Sequence, residues 1–371
     1  MRSKRSSSQP FCTPTTKPQL MAASNNQRSM LDPFRQAQAR PEPLAISLGD
    51  PAGIGAEVTL KALAHWPQGQ PQPWLVGCRR WLEASYAQLR RRTDAPLADP
   101  AELQLIDRPL PAAITPGEAG AASGDASFQW LSGAVELVLS GQCRALVTAP
   151  IAKHAWHAAG HRYPGQTERL AELAGVAEAA MLFTARAPHG GWRLNTLLAT
   201  THIPLAAVPA ALADGERLQQ RLSTLLQFCQ RFTARPRLVV AGLNPHAGEA
   251  GQLGREEQDW LIPSLEAWSR QHPEAELIGP LPPDTCWLEA GRAWSDRNQT
   301  AQAADGYLAL YHDQGLIPVK LLAFDQAVNT SLGLPFLRTS PDHGTGFGIA
   351  GQGVARAASM EAAIQAALEL G

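Results

Sequence analysis

The chain has 371 residues, 44% hydrophobic and 18% charged, enough apolar content to bury a large α/β core and too much for a disordered or fibrous protein. Its formal net charge of -1 exerts no long-range pull on nucleic acid, and no apolar run reaches the roughly 18 residues that a membrane span needs. Five cysteines (Cys12, Cys78, Cys143, Cys229, Cys286) stand far apart with no CxxC pair, which argues against a disulfide framework or thiolate zinc site and fits a reducing cytoplasm.

From Met1 to Met30 the chain carries Lys and Arg but no acid, with many Ser, Thr, Gln and Pro and no hydrophobic period. That composition suits a transit peptide, or upstream sequence read from an early start, since Met21 and Met30 fall within it. The expectation is a disordered extension over residues 1–42 without catalytic role. From residue 43 to 371 short β-type runs alternate with helical patterns. Strands are expected at Leu44–Leu48, Trp74–Gly77, Ala145–Thr148, Leu194–Ala199, Leu238–Gly242, Leu277–Gly279, Tyr307–Tyr311 and Val319–Phe324. Between them lie stretches such as Leu218, Leu222, Leu225, Leu226 and Cys229, which fall on one face at the 3.6-residue period. Such alternation predicts an α/β fold with a largely parallel sheet.

Polar segments rich in Gly and Pro follow these strands: GDPAGIG, TAPIAK, TTHIPL, GLNPHAGE and YHDQG. The carboxyl ends of parallel strands are where α/β proteins bind ligands, so the chemistry is expected there. Three of the ten histidines, His202, His246 and His312, sit at these strand ends. Each alone reads more readily as a hydrogen-bonded structural histidine than as a metal ligand; together, at equivalent places, they suit an open divalent-cation site as well. Lys320, Asn329 and Arg338, with Thr167 in the turn PGQTE, mix charged and neutral donors as a phosphate dianion requires. Surface cations are the alternative, but the flanks VKLLAF and LPFLRTS are apolar enough to bury a charge beside a ligand. GDPAGIG matches neither GxGxxG nor GxxxxGK[ST], and SPDHGTGFGIAGQG, from Ser340 to Gly353, either wraps a cofactor or caps the last helix.

These motifs, with GQTE, GREE, GPLPPDT and RTSPDHGT, resemble the 4-hydroxythreonine-4-phosphate dehydrogenases of vitamin B6 biosynthesis, from Leu44 to Leu370. The resemblance implies an isocitrate/isopropylmalate dehydrogenase-like fold of two α/β subdomains flanking a cleft, and a homodimer with its site near the interface. It implies oxidation of 4-phosphooxy-L-threonine with NAD or NADP, then decarboxylation to 3-amino-2-oxopropyl phosphate. His202, His246 and His312 would then hold one divalent ion (zinc, cobalt or magnesium), and Gln166, Thr167, Lys320, Asn329 and Arg338 the substrate. Gly344, Thr345 and Gly348 would face the cofactor. Asp284 and Asp313 are candidate proton acceptors, or else orienters of a histidine.

Two positions depart from the family pattern. Gln166 stands where histidine is frequent; it keeps a hydrogen-bond donor but carries no charge, so phosphate affinity should depend less on acid pH. Gly348 aligns with a position that is often acidic, leaving NAD and NADP poorly distinguished. Two other functions fit the same residues. One is a dehydrogenase of the same fold acting on a threonate or erythronate 4-phosphate; the other is a non-catalytic phosphometabolite-binding protein.

Overall fold

The computed structural model describes residues 42–371, so residues 1–41, nearly all of the expected extension, lie outside the described residues. In chain order β1 (Leu44–Ser47) leads to α1 (Gly55–Leu63), β2 (Trp74–Gly77) to α2 (Arg79–Leu89), and β3 (Gln104–Asp107) to α3 (Ala121–Leu139). After β4 (Ala145–Thr148) come α4 (Lys153–Ala158), α5 (Gln166–Leu173), and the antiparallel pair β5 (Ala180–Arg186) and β6 (Arg193–Leu198). Then follow α6 (Val208–Leu212), α7 (Glu216–Cys229), β7 (Arg237–Ala241), α8 (Ile262–Gln271), β8 (Glu276–Leu281) and α9 (Leu288–Ser295). The chain ends with β9 (Gly306–Ala309), α10 (His312–Ala323), β10 (Val328–Leu332), β11 (Leu337–Pro341) and α11 (Ala358–Leu370).

Among the described residues eleven strands form one sheet in the order β3-β2-β1-β4-β11-β10-β5-β6-β9-β7-β8. Both wings are parallel, as the α/β reading expects, while the middle pairings β11 with β10, β10 with β5 and β5 with β6 are antiparallel. Helices cover both faces of the parallel wings, which is why LAIS and ALVT read as continuous buried runs without alternation. One core gathers Leu44, Ile46, Leu146, Trp130 and the predicted stripe of α7; a second packs Leu194, Leu198, Val239 and Ala309 against Leu316 and Val319 of α10. The described cysteines are buried thiols, with burial pushing Cys143 up to about 12.

One expected strand is a helix. Residues 319–323 belong to α10, and Phe324 caps it. Gln314, Gly315, Leu316, Val319 and Ala323 are buried while Ile317 and Leu321 stand 60% and 79% exposed, so the run VKLLAF has helical period and an apolar outer face that disguises it. Four strands were not anticipated. β3 is a half-exposed edge, β5 lies between loops, and β10 and β11 carry Asn, Thr, Ser and Arg where a core strand is expected to be apolar.

Candidate active site

Along the carboxyl ends of β4 and β11 lies a cavity of about 710 Å³, whose wall includes Thr148, Lys153, Thr167, His202, Asn329 and Arg338. Its central group is Arg338. The register of β11, beside β4 on one side and antiparallel to β10 on the other, brings the Arg338 side chain to Thr148 and to Ser331. Nε and Nη2 donate to the Thr148 Oγ1 at 3.0 and 2.7 Å, Nη2 also to Gln166 Oε1 at 3.1 Å, and Nη1 to Ser331 Oγ at 3.4 Å. All of these acceptors are neutral, and no ion pair holds Arg338 among the described residues. Burial pushes its guanidinium down to about 10, which leaves about one molecule in a thousand uncharged at pH 7. A buried charge without a counter-charge is costly unless a ligand supplies one.

The other expected phosphate residues divide. Asn329 and Thr167 line the cavity, and Asn329 Oδ1 is buried without a partner. Lys320 does not line it; it projects from α10 and donates to the Asp342 carboxylate at 2.8 Å, so its charge is already matched at the rim.

The three histidines follow β6, β9 and β7, which are neighbours in the sheet. His202 and His312 are adjacent, with ring centroids 5.7 Å apart. Burial, then the charge of Lys153, holds the His202 imidazole below its usual range, so it is neutral at pH 7 as a ligand must be. The Asp313 carboxylate sits 2.7 Å from His312 Nδ1, which orients the ring and leaves Nε2 free. That contact suits the orienter role for Asp313. His246 stands apart, its Nδ1 at 3.4 Å from Glu249, and among the described residues no three His, Cys, Asp or Glu side chains already form a metal-holding group. The donor set nonetheless fits a divalent ion: two neighbouring imidazoles, one carboxylate-braced, and a third on the adjacent strand end. Asp284 is exposed and is not among the residues of the cavity wall.

His246 is carried by an unusual turn. His246, Ala247, Glu249 and Ala250 have φ of 53°, 51°, 43° and 55°, with Gly248 at 81° between them. Left-handed backbone costs a non-glycine residue about 1–2 kcal/mol each, so something must hold it. Glu257, 1% exposed, accepts from the Leu243 and Asn244 backbone N–H at 2.8 and 2.7 Å and from Asn244 Nδ2 at 2.9 Å, fixing the entry to the turn.

The expected cofactor loop borders the cavity and a second one of about 280 Å³; Gly344 lines both. Glu57 and Lys61 of α1 anchor its far end. Lys61 Nζ donates to Glu57 and to the Gly353 and Ala355 carbonyls, and Glu57 accepts from both backbone N–H groups. GDPAGIG meets the loop's start, where Ile54 N–H donates to the Thr345 carbonyl at 2.9 Å; a Cβ on Gly53 would come within 2.7 Å of that oxygen. Gly348 lines neither cavity, and a Cβ there meets nothing within 4 Å.

Residues 70–367 match the family model of the pyridoxal phosphate biosynthetic protein PdxA. The chain belongs to the PdxA family. A 4-hydroxythreonine-4-phosphate dehydrogenase of Synechococcus sp. (strain RCC307) is 68% identical over 88% of this chain and 99% of its own. The solved structure of the Klebsiella pneumoniae 4-hydroxythreonine-4-phosphate dehydrogenase is 37% identical, with a TM-score of 0.75 over 89% of this chain and 98% of its own. A D-threonate 4-phosphate dehydrogenase of Pectobacterium atrosepticum is 38% identical over 88% and 98%.

Within this PdxA-family site, sequence reasoning passed over Thr148, Lys153, Glu168 and Ser331, although TAPIAK and GQTE were singled out as motifs. Thr148 and Ser331 gain meaning only through strand neighbours distant in sequence. Glu168 is distinctive for another reason. Of the cavity-wall acids, Glu172 meets Arg169, Glu178 meets Arg217 and Arg221, and Asp342 meets Lys320. Glu168 has no ion-pair partner among the described residues, and it lies near enough to His202 to raise that imidazole's basicity.

Proposed function

We propose that the chain oxidises 4-phosphooxy-L-threonine at its C3 hydroxyl with NAD or NADP as hydride acceptor, and that the resulting β-keto acid loses carbon dioxide to give 3-amino-2-oxopropyl phosphate. The observation that carries this reading is Arg338, a fully buried guanidinium held only by neutral acceptors in the cavity wall. A phosphate dianion is the counter-charge that such a site requires, and Asn329 and Thr167 supply neutral donors beside it.

His202, His312 and His246 would hold a divalent ion (zinc, cobalt or magnesium), which makes a bound hydroxyl more acidic and stabilises the negative charge left as carbon dioxide departs. Asp313 keeps the His312 ring oriented. Glu168 faces the substrate's C2 ammonium, and its position near His202 matches the C3 hydroxyl's neighbour on the carbon chain. The loop from Ser340 to Gly353 takes the cofactor. Ile317, Leu321 and Phe324, exposed along and just beyond α10, form the face that a second copy covers in a cytoplasmic homodimer.

The second reading, a threonate or erythronate 4-phosphate dehydrogenase, is favoured by the 38% identical Pectobacterium relative. Those substrates lack the ammonium and leave Glu168 without a partner. Turnover decides between the two. With a divalent ion and NAD or NADP, reduced cofactor should appear with 4-phosphooxy-L-threonine at a higher kcat/KM than with either sugar-acid phosphate; the reverse order overturns the first reading.

A further inference from the structure

Arg338 presents five N–H donors, and their partners show which end of the guanidinium is available. Nε–H is given to Thr148, and the two Nη2 hydrogens go to Thr148 and Gln166. Nη1 has one long contact, to Ser331 at 3.4 Å, and a second hydrogen with no partner. The uncommitted donor therefore lies on Nη1. Gln166 uses both ends of its amide to maintain this state: Oε1 accepts from Arg338 Nη2, and Nε2 donates to the Ala149 carbonyl at 3.3 Å. Exchanging the amide's oxygen and nitrogen would oppose two donors at Arg338 and two acceptors at Ala149, so the orientation is determined.

We propose that Gln166 is a positioning residue that acts through Arg338. It sets the plane of the guanidinium and leaves Nη1 for the phosphate, and it is not itself a phosphate donor. The chemical logic lies in its neutrality. A glutamate in this place would hold the guanidinium more tightly but cancel the charge that attracts the ligand, whereas an amide oxygen holds the same geometry and leaves the charge whole. This inference rests on the reading that the cavity takes a phosphate monoester.

A double-mutant cycle on the full chain tests it, with Gln166→Ala, Arg338→Met and the double variant. Two readouts are used: the Kd of inorganic phosphate and kcat/KM for 4-phosphooxy-L-threonine at low concentration, the latter measurable even where binding is weak. Gln166→Ala should weaken phosphate about five- to tenfold, the net size of one ordinary hydrogen bond, with kcat within twofold. In the Arg338→Met background the same change should have no further effect, because the residue through which it acts is gone. Equal losses in both backgrounds would show that Gln166 touches the phosphate directly, and no loss in either would show that it positions nothing; both results overturn the proposal. Gln166→Glu gives an independent arm: it keeps the acceptor oxygen but should weaken phosphate at pH 7 by cancelling the Arg338 charge, and tighter phosphate binding in that variant also overturns it. If unaltered protein binds phosphate but does not turn over the substrate, the functional reading fails while the phosphate Kd values of Gln166→Ala and Gln166→Glu against that of the unaltered protein still judge Gln166.

Discussion

Replacing Arg338 by methionine, which fills a similar volume without charge, should separate ligand binding from folding. In the free protein the guanidinium sits wholly buried against Thr148, Ser331 and Gln166, and burial holds it down at about 10, below its unfolded value. A basic group depressed in this way costs folding free energy at every pH below about 10, and that cost is relieved only as pH rises through the folded value. Arg338→Met should therefore leave the melting temperature unchanged or raise it, as often happens when a buried charge gives way to an apolar side chain. Binding should respond in the opposite sense. Removing the charged partner of a buried phosphate costs about 2–5 kcal/mol, a rise in KM of about thirtyfold or more. Differential scanning fluorimetry reads both effects: phosphate should raise the melting temperature of the unaltered protein, by about 2.7 kcal/mol of stabilisation at a hundred times its Kd, and should not raise that of the variant. A KM change below about threefold, roughly 0.7 kcal/mol, or an equal phosphate-induced shift in both proteins, refutes the reasoning.

Other perturbations address the remaining parts of the site. Glu168→Gln should lower kcat/KM for 4-phosphooxy-L-threonine about tenfold, the value of one charge-assisted hydrogen bond, while D-threonate 4-phosphate is little affected; parallel losses on both substrates would remove Glu168 from ammonium recognition. His312→Ala should reduce kcat at least about a hundredfold, since loss even of a group bracing a metal ligand costs up to that much, and substantial turnover in a chelator-treated variant would exclude the metal role. Glu257→Gln leaves at least one N–H of the 243–244 segment without its carboxylate and should destabilise the protein by about 2 kcal/mol, visible as a lower urea midpoint; an unchanged midpoint means that the left-handed turn holds itself. Gly348→Asp has room for its side chain and should shift the ratio of kcat/KM for NAD over NADP about tenfold, or about 1.4 kcal/mol, toward NAD, chiefly by repelling the 2'-phosphate. A folded variant with an unmoved ratio shows that Gly348 does not face the ribose.

Much of the architecture was legible in the sequence because the signal was local. LAIS and ALVT announce buried parallel strands, the leucines of α7 repeat at the helical period, and the polar loops fall after strands, where parallel sheets bind ligands. The three histidines could be chosen for the same reason, since each closes a recognisable strand-loop unit. Only the tertiary structure decided what these residues do to one another. It made VKLLAF a helix, because burial of one face overrode an apolar run with no visible period, and so moved Lys320 out of the cavity into a pair with Asp342. It also made strands of VNTSL and LRTSP, whose polar side chains argue against a core position until Thr148 and Ser331 are seen to satisfy Arg338. Thr148 and Arg338 are 190 residues apart, and no periodicity relates them. Propensity and pattern act over a few residues, whereas the compensation of a buried charge is settled by whichever strands the sheet order makes neighbours.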